Sequence, residues 1–196
     1  MEHLDTLKNL IKKSPFKSPT RGVLSFREVV KELVNYRLED SAARYKIVIG
    51  TDSEIREKGI DYVSVIAIHR IGKGGRYFWL RSFDNQNLDL RKRIYKEATL
   101  SLALAQALLE QGLENNNVTV ATGKTIIEVI KELEKNPGNK KNLVFTNEIE
   151  IHVDIGNGGP TRDMIKEITG MIRGSGFFVK IKPEAFAAQS VADKHL

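Results

Sequence analysis

Apolar positions along the chain follow two periods in turn. YKIVIGTDSE (45–54) is a β-branched run ending in a turn, and DYVSVIAIHR (61–70) and GRYFWLRSFD (75–84) are two more, joined by the glycine-rich IGKGG. Such runs bounded by turn residues predict strands, and connections this short predict an antiparallel meander. From about residue 89 the period lengthens. DLRKRIYKEATLSLALAQALLEQG places Leu and Ala three and four residues apart, predicting a helix that stops at Gly112. IEIHVDIG (149–156) predicts a fourth strand, TRDMIKEITGMIRGSG a further helix, and FFVKIK a fifth strand. Pro183 suits the first turn of a closing helix over EAFAAQSVADKHL.

Before the meander, a short amphipathic segment leads into the basic loop KKSPFKSPTRG, whose prolines break any helix, and SFREVVKEL opens a helix with Ser25 and Glu28 as a capping box. Residues 1–44 therefore predict an N-terminal helical extension on a domain at 45–196. Residues 114–148, with a possible strand VTVAT and helix KTIIEVIKELEKN, stand apart as an insertion. The order β-β-β-α, then β-α-β-α, is that of an RNase H-like fold. The expected class is α/β, with a mixed five-stranded sheet, three strands antiparallel and then parallel ones, flanked by helices.

Composition narrows the partners. The 196 residues are 41% hydrophobic, enough for a sizeable core, and no run approaches the ~18 apolar residues of a membrane span. MEHLDTLKNLIKKS lacks the apolar stretch of a signal peptide, and the absence of cysteine excludes disulfides and thiolate metal sites. These features predict a cytoplasmic protein without a membrane partner. A net charge of +6 fits a phosphate-rich partner, though it also suits an ordinary soluble surface.

Asp52 follows the first strand and Asp154 the fourth, so a sheet that makes these strands neighbours brings two carboxylates to one edge, the arrangement a divalent cation needs. Glu97 lies on the long helix, with Ser101 and Ala105 at i+4 and i+8 giving a small-residue face for close packing on the sheet. Asp193, in SVADKHL, is a further candidate. Singly, each has a blander reading: Asp52 as a turn residue, Asp154 as a cap for the helix near Thr161, Glu97 as a solvated partner of Arg93 or Lys96, Asp193 as a surface group. The combination points to chemistry.

The blocks IGTDSE, RIYKEATLSLALA, IHVDIGNGGPT and GFFVKIKPEAFAAQSVADKH resemble the signature blocks of the YkuK-like family, proteins predicted to be RNase H-related nucleases, across most of residues 25–195. The resemblance implies that Asp52, Glu97, Asp154 and Asp193 are the metal-holding catalytic acids. It implies Mg²⁺ or Mn²⁺ as cofactor, as two ions about 3.5–4 Å apart that hydrolyse a phosphodiester of RNA, DNA or a hybrid. His195 is a candidate proton carrier beside the acids, and an exposed histidine is the alternative. Ser53, Ser101 and His152 are candidates for the shell supporting them, His152 equally a hydrogen-bonded structural residue.

Nucleic acid is the expected partner, with Arg162, Lys180, Lys182 and Lys194 as phosphate contacts. Lys180 and Lys182 share one face of the fifth strand, where lysines also guard an edge against aggregation. Tyr77, Phe78 and Trp79 read as packing residues rather than a base-stacking platform. Three rivals stand against the nuclease. ATGKT resembles a phosphate-binding loop, but Val118 occupies its first glycine position. IGTD and DIGNGG resemble the phosphate loops of actin-like phosphotransferases, which close two such lobes around a nucleotide. A non-catalytic RNase H-like module binding nucleic acid or protein is the third.

Overall fold

The computed structural model describes residues 2–40, 42–114, 149–158, 161–185 and 187–196, so the predicted insertion lies, save for Glu114, outside the described residues. Strands β1 (Phe16–Ser18) and β2 (Gly22–Leu24) form a hairpin. The meander is β3 (Tyr45–Arg56), β4 (Gly59–Arg70) and β5 (Gly74–Asp84), antiparallel and in continuous register. Strand β6 (Ile149–His152) adds in parallel to β3, and β7 (Phe178–Lys180) in parallel to β6.

The sheet runs β2-β1-β5-β4-β3-β6-β7, seven strands where the sequence predicts five. The difference is the basic loop. Instead of remaining irregular, it pairs Lys17 with Trp79 of β5 and buries Phe16 and Ser18, covering what would otherwise be an exposed edge of the meander. Where β3 turns into β4, the backbone comes too close to β5 for any side chain: a Cβ on Gly59 would lie 2.1 Å from the Asp84 carbonyl oxygen.

Alternation splits the sheet into two unlike faces. Ile47 and Ile49, Ile66 and Ile68, Phe78 and Leu80, and Ile149 and Ile151 all point to one side, where they meet helices α1 (Glu2–Lys13), α2 (Phe26–Leu38), α3 (Leu90–Glu114) and α4 (Ile165–Gly174) in a single apolar core. The capping box forms as predicted, Ser25 N donating to Glu28 Oε2 at 2.7 Å and Glu28 N to Ser25 Oγ at 3.3 Å. The long helix does not stop at Gly112; its described residues run Leu90–Glu114.

The opposite face carries Val48, Val63, Val65 and Ala67, covered by the last residues of the chain. These do not form the predicted closing helix from Pro183. Glu184 N–H instead closes a turn on the Ile181 carbonyl, and the chain finishes with a π-helical stretch, Ala187–Ala192, and one 3₁₀ turn, Asp193–His195. Among the described residues no helix is long and apolar enough to cross a membrane.

Candidate active site

Three elements of different origin approach the C-terminal half of β3. Asp52 stands on the face covered by the chain end, on the rung it shares with Val63 and Arg81. Ser53 points the other way, toward α3, and donates from Oγ to Glu97 Oε1 at 2.5 Å. One helical turn on from Glu97, Ser101 donates to Thr51 Oγ1 at 2.9 Å, and Thr51 in turn shares a hydrogen with Ser64 at 2.9 Å. These buried hydroxyls set the depth at which α3 sits on the sheet. Ser53 thus contacts Glu97 directly, while Ser101 ties the helix that carries Glu97 to β3.

Glu97 is 2% exposed, which overturns its reading as a solvated helix residue. Lys96, its alternative partner, bonds to Asp84 instead. Among the described residues one Glu97 oxygen has a donor, and Oε2 is buried without a hydrogen-bond partner. Burial is the main force that raises its pKa to about 8, and the charges of Asp52 and Asp154 add to it against the Ser53 bond and Arg93. Asp52 is pushed up to about 6, again first by burial, with Asp154 and Asp193 contributing repulsion while the Ser53 backbone N–H, 2.8 Å from Oδ1, and Arg93 oppose it.

Asp154 lies two residues past the end of β6. Its place is bracketed by two backbone bonds, Val153 N to Lys180 O at 3.0 Å and Lys182 N to Ile155 O at 2.9 Å, which carry the β6–β7 pairing past the strands. Gly156 allows this approach: a Cβ there would stand 3.2 Å from Lys182 Cβ. Lys182 Nζ is 2.8 Å from Asp154 Oδ1, near enough for an ion pair although the angles make no hydrogen bond. Asp193 is exposed on the 3₁₀ turn. Asp52 is thus within range of the charges of Asp154 and Asp193, and Glu97 of those of Asp52 and Asp154, but among the described residues no three His, Cys, Asp or Glu side chains are drawn close enough to hold an ion as they stand.

A divalent cation fits this donor set. The acids offer hard oxygens only, and a buried carboxylate oxygen without a donor is an atom that a cation would satisfy.

The remaining predicted residues fall elsewhere. His152 is 1% exposed beside Glu150, with Nε2 and Oε2 3.6 Å apart, and burial lowers its pKa. The ring of His195 lies flat on Trp79, 3.7 Å between centroids at 8°, and the charges that lower its pKa after burial are Lys194, Arg81 and Lys17, with no carboxylate among them. Lys180 and Lys182 each have an acidic neighbour. The strand ends at Lys180, which faces Glu184 at 3.7 Å, while Lys182 has turned to Asp154. Arg162 and Lys194 are exposed. Arg93, offered by the sequence as a solvated partner of Glu97 four residues away, acts by its charge on both Asp52 and Glu97.

The Ribonuclease H-like family model matches residues 28–196, and the chain belongs to that family. Over 184 residues it is 28% identical to a protein of Bacillus subtilis (strain 168) described as "Uncharacterized protein YkuK", a match that covers 91% of this chain and 95% of the relative and agrees with the resemblance read from the sequence blocks. No solved structure matches the chain.

Proposed function

We propose that the protein is a metal-dependent nuclease that hydrolyses phosphodiester bonds of RNA, DNA or an RNA–DNA hybrid, its catalytic domain spanning 45–196 behind an N-terminal extension. The observation that carries this reading is Glu97, a nearly fully buried carboxylate with one oxygen unpartnered among the described residues, within range of the charges of Asp52 and Asp154. Without a cation such a group costs stability, and nothing in the packing of α3 requires it. Asp52, Glu97, Asp154 and Asp193 would hold Mg²⁺ or Mn²⁺, which when bound would activate a water and steady the leaving oxygen. Ser53 orients Glu97 by occupying one of its oxygens, and the other would be available to the cation. Arg93 offsets part of the negative charge from the helix side. Exposed Arg162 and Lys194 would take substrate phosphates.

One contact favours a second reading, a module that binds nucleic acid or protein without catalysis. Lys182 stands against Asp154 as a built-in counter-cation, which could replace a metal there. It meets a single carboxylate and leaves Glu97 Oε2 bare, so the nuclease reading accounts for more of the site. The test is cleavage of labelled RNA, DNA and hybrid duplex with Mg²⁺, Mn²⁺ or chelator, for wild type and Glu97→Gln. Metal-dependent cleavage abolished in the variant is expected. Nucleic-acid binding with no cleavage by wild type under any of these conditions would instead identify the non-catalytic module.

A further inference from the structure

Asp193 belongs to a 3₁₀ turn of three residues, Asp193–His195, and so short a turn does not hold its own shape. Its position has to come from its flanks. Upstream, Val191 and the fully buried Ala192 pack on Val48, Val63, Val65 and Ala67. Downstream, the His195 ring stacks on Trp79 and stands 3.4 Å from the Tyr77 hydroxyl. Arg81 donates to the main-chain oxygens of both His195 and Leu196, and Arg56 also donates to the Leu196 oxygen at 2.5 Å.

Register gives these contacts a meaning. Arg81 shares its rung with Asp52, through Val63, and Trp79 shares the next one with Gly50, through Val65. With neighbouring strands roughly 4.8 Å apart, the clamp on the chain end sits two strands, about 10 Å, from the Asp52 backbone. The segment carrying Asp193 is therefore anchored to the strands that carry Asp52, on the same face. We propose that Trp79 and Arg81, acting through His195, are positioning residues that hold Asp193 in register with Asp52. This rests on the reading of the four acids as the metal-holding set, and it makes His195 an anchor rather than a proton carrier.

The experiment is calorimetric titration of the full chain with Mn²⁺, with a thermal melt of each variant to establish folding. Asp193→Asn and Trp79→Ala should each weaken Mn²⁺ binding, by about 10- to 100-fold, the usual cost of losing a ligand's support. Trp79→Phe, which keeps a flat ring under His195, should restore most of the affinity. The double variant Trp79→Ala/Asp193→Asn should bind no more weakly than Asp193→Asn alone, because Trp79 acts only through Asp193. If Trp79→Ala does not fold, His195→Ala and His195→Phe read the same contact from its other side, with loss and rescue expected in that order.

Additive losses in the double variant would overturn the proposal, showing that Trp79 serves general stability. Unchanged affinity in both Trp79→Ala and His195→Ala, alongside weakening in Asp52→Asn, would overturn it and leave the nuclease reading in place. No Mn²⁺ binding by wild type would overturn both.

Discussion

On one side of the sheet an apolar core runs without interruption from Ile11 of α1 through Ile47, Phe78 and Leu104 to Ile172 of α4; on the other, Val48, Val63, Val65 and Ala67 meet little more than Ala192 and its neighbours. The first side holds together by volume, many residues each contributing burial energy. The second is held by particular contacts, a ring stack and two arginines gripping main-chain oxygens. The acids lie where the two regimes meet, Glu97 delivered by the massive side and Asp193 by the sparse one. Stability and the geometry of the site are thus largely assigned to different faces, and they should respond to different mutations.

The largest expected effect tests that division directly. Phe78 is fully buried under the helices, and Phe78→Ala should cost about 3–5 kcal/mol in urea unfolding. Val191→Ala on the sparse side should cost no more than ~1.5 kcal/mol, at roughly 0.8 kcal/mol per methylene-sized group removed. Equal costs would erase the contrast between the faces.

A smaller effect should appear in the pH dependence. With its folded-state pKa near 8, Glu97 binds its proton more tightly in the native protein than in the unfolded chain. The stability this supplies is present at low pH and is lost as pH rises through about 8. In chelator, Glu97→Gln should therefore melt a few degrees above wild type at pH 9, 1 kcal/mol being worth roughly 2–4 °C at this chain length, and match it only at acid pH, below the unfolded carboxylate's own pKa. A variant that melts lower than wild type at pH 9 would mean that the charged carboxylate has a partner. The smallest change is expected from Lys182→Met. Removing the ammonium beside Asp154 should tighten Mn²⁺ binding by about two- to fivefold, equivalent to the ~0.5–1 kcal/mol of an exposed ion pair. Weaker Mn²⁺ binding in this titration would show that Lys182 supports the site instead of competing for it.

Local pattern made much of this molecule legible. The meander follows from β-branched runs and short turns, the start of α2 from Ser25 and Glu28, and the burial of Glu97 from Ser101 and Ala105 one and two turns along the same face. What stayed hidden depends on distant register. Three residues between Pro15 and Pro19 carry no periodicity, so β1 exists only because the edge of β5 is there to receive it. The pairing of Lys182 with Asp154 follows from where β7 stops, and no alternation rule announces that a strand ends after Lys180. Trp79 looked like an ordinary packing residue because its partner, His195, lies far along the chain.

The dispersal of the acids over β3, α3, the loop after β6 and the final 3₁₀ turn also fixes a sequence of events. A ribosome releases the chain from its N-terminus at about 5–20 residues per second, and the meander, whose contacts are all between neighbouring strands, can form early. Asp154 and Asp193 are made after the meander is complete. On the nuclease reading, a nascent chain carries the meander before these two acids emerge, and its acidic set is assembled only once they do.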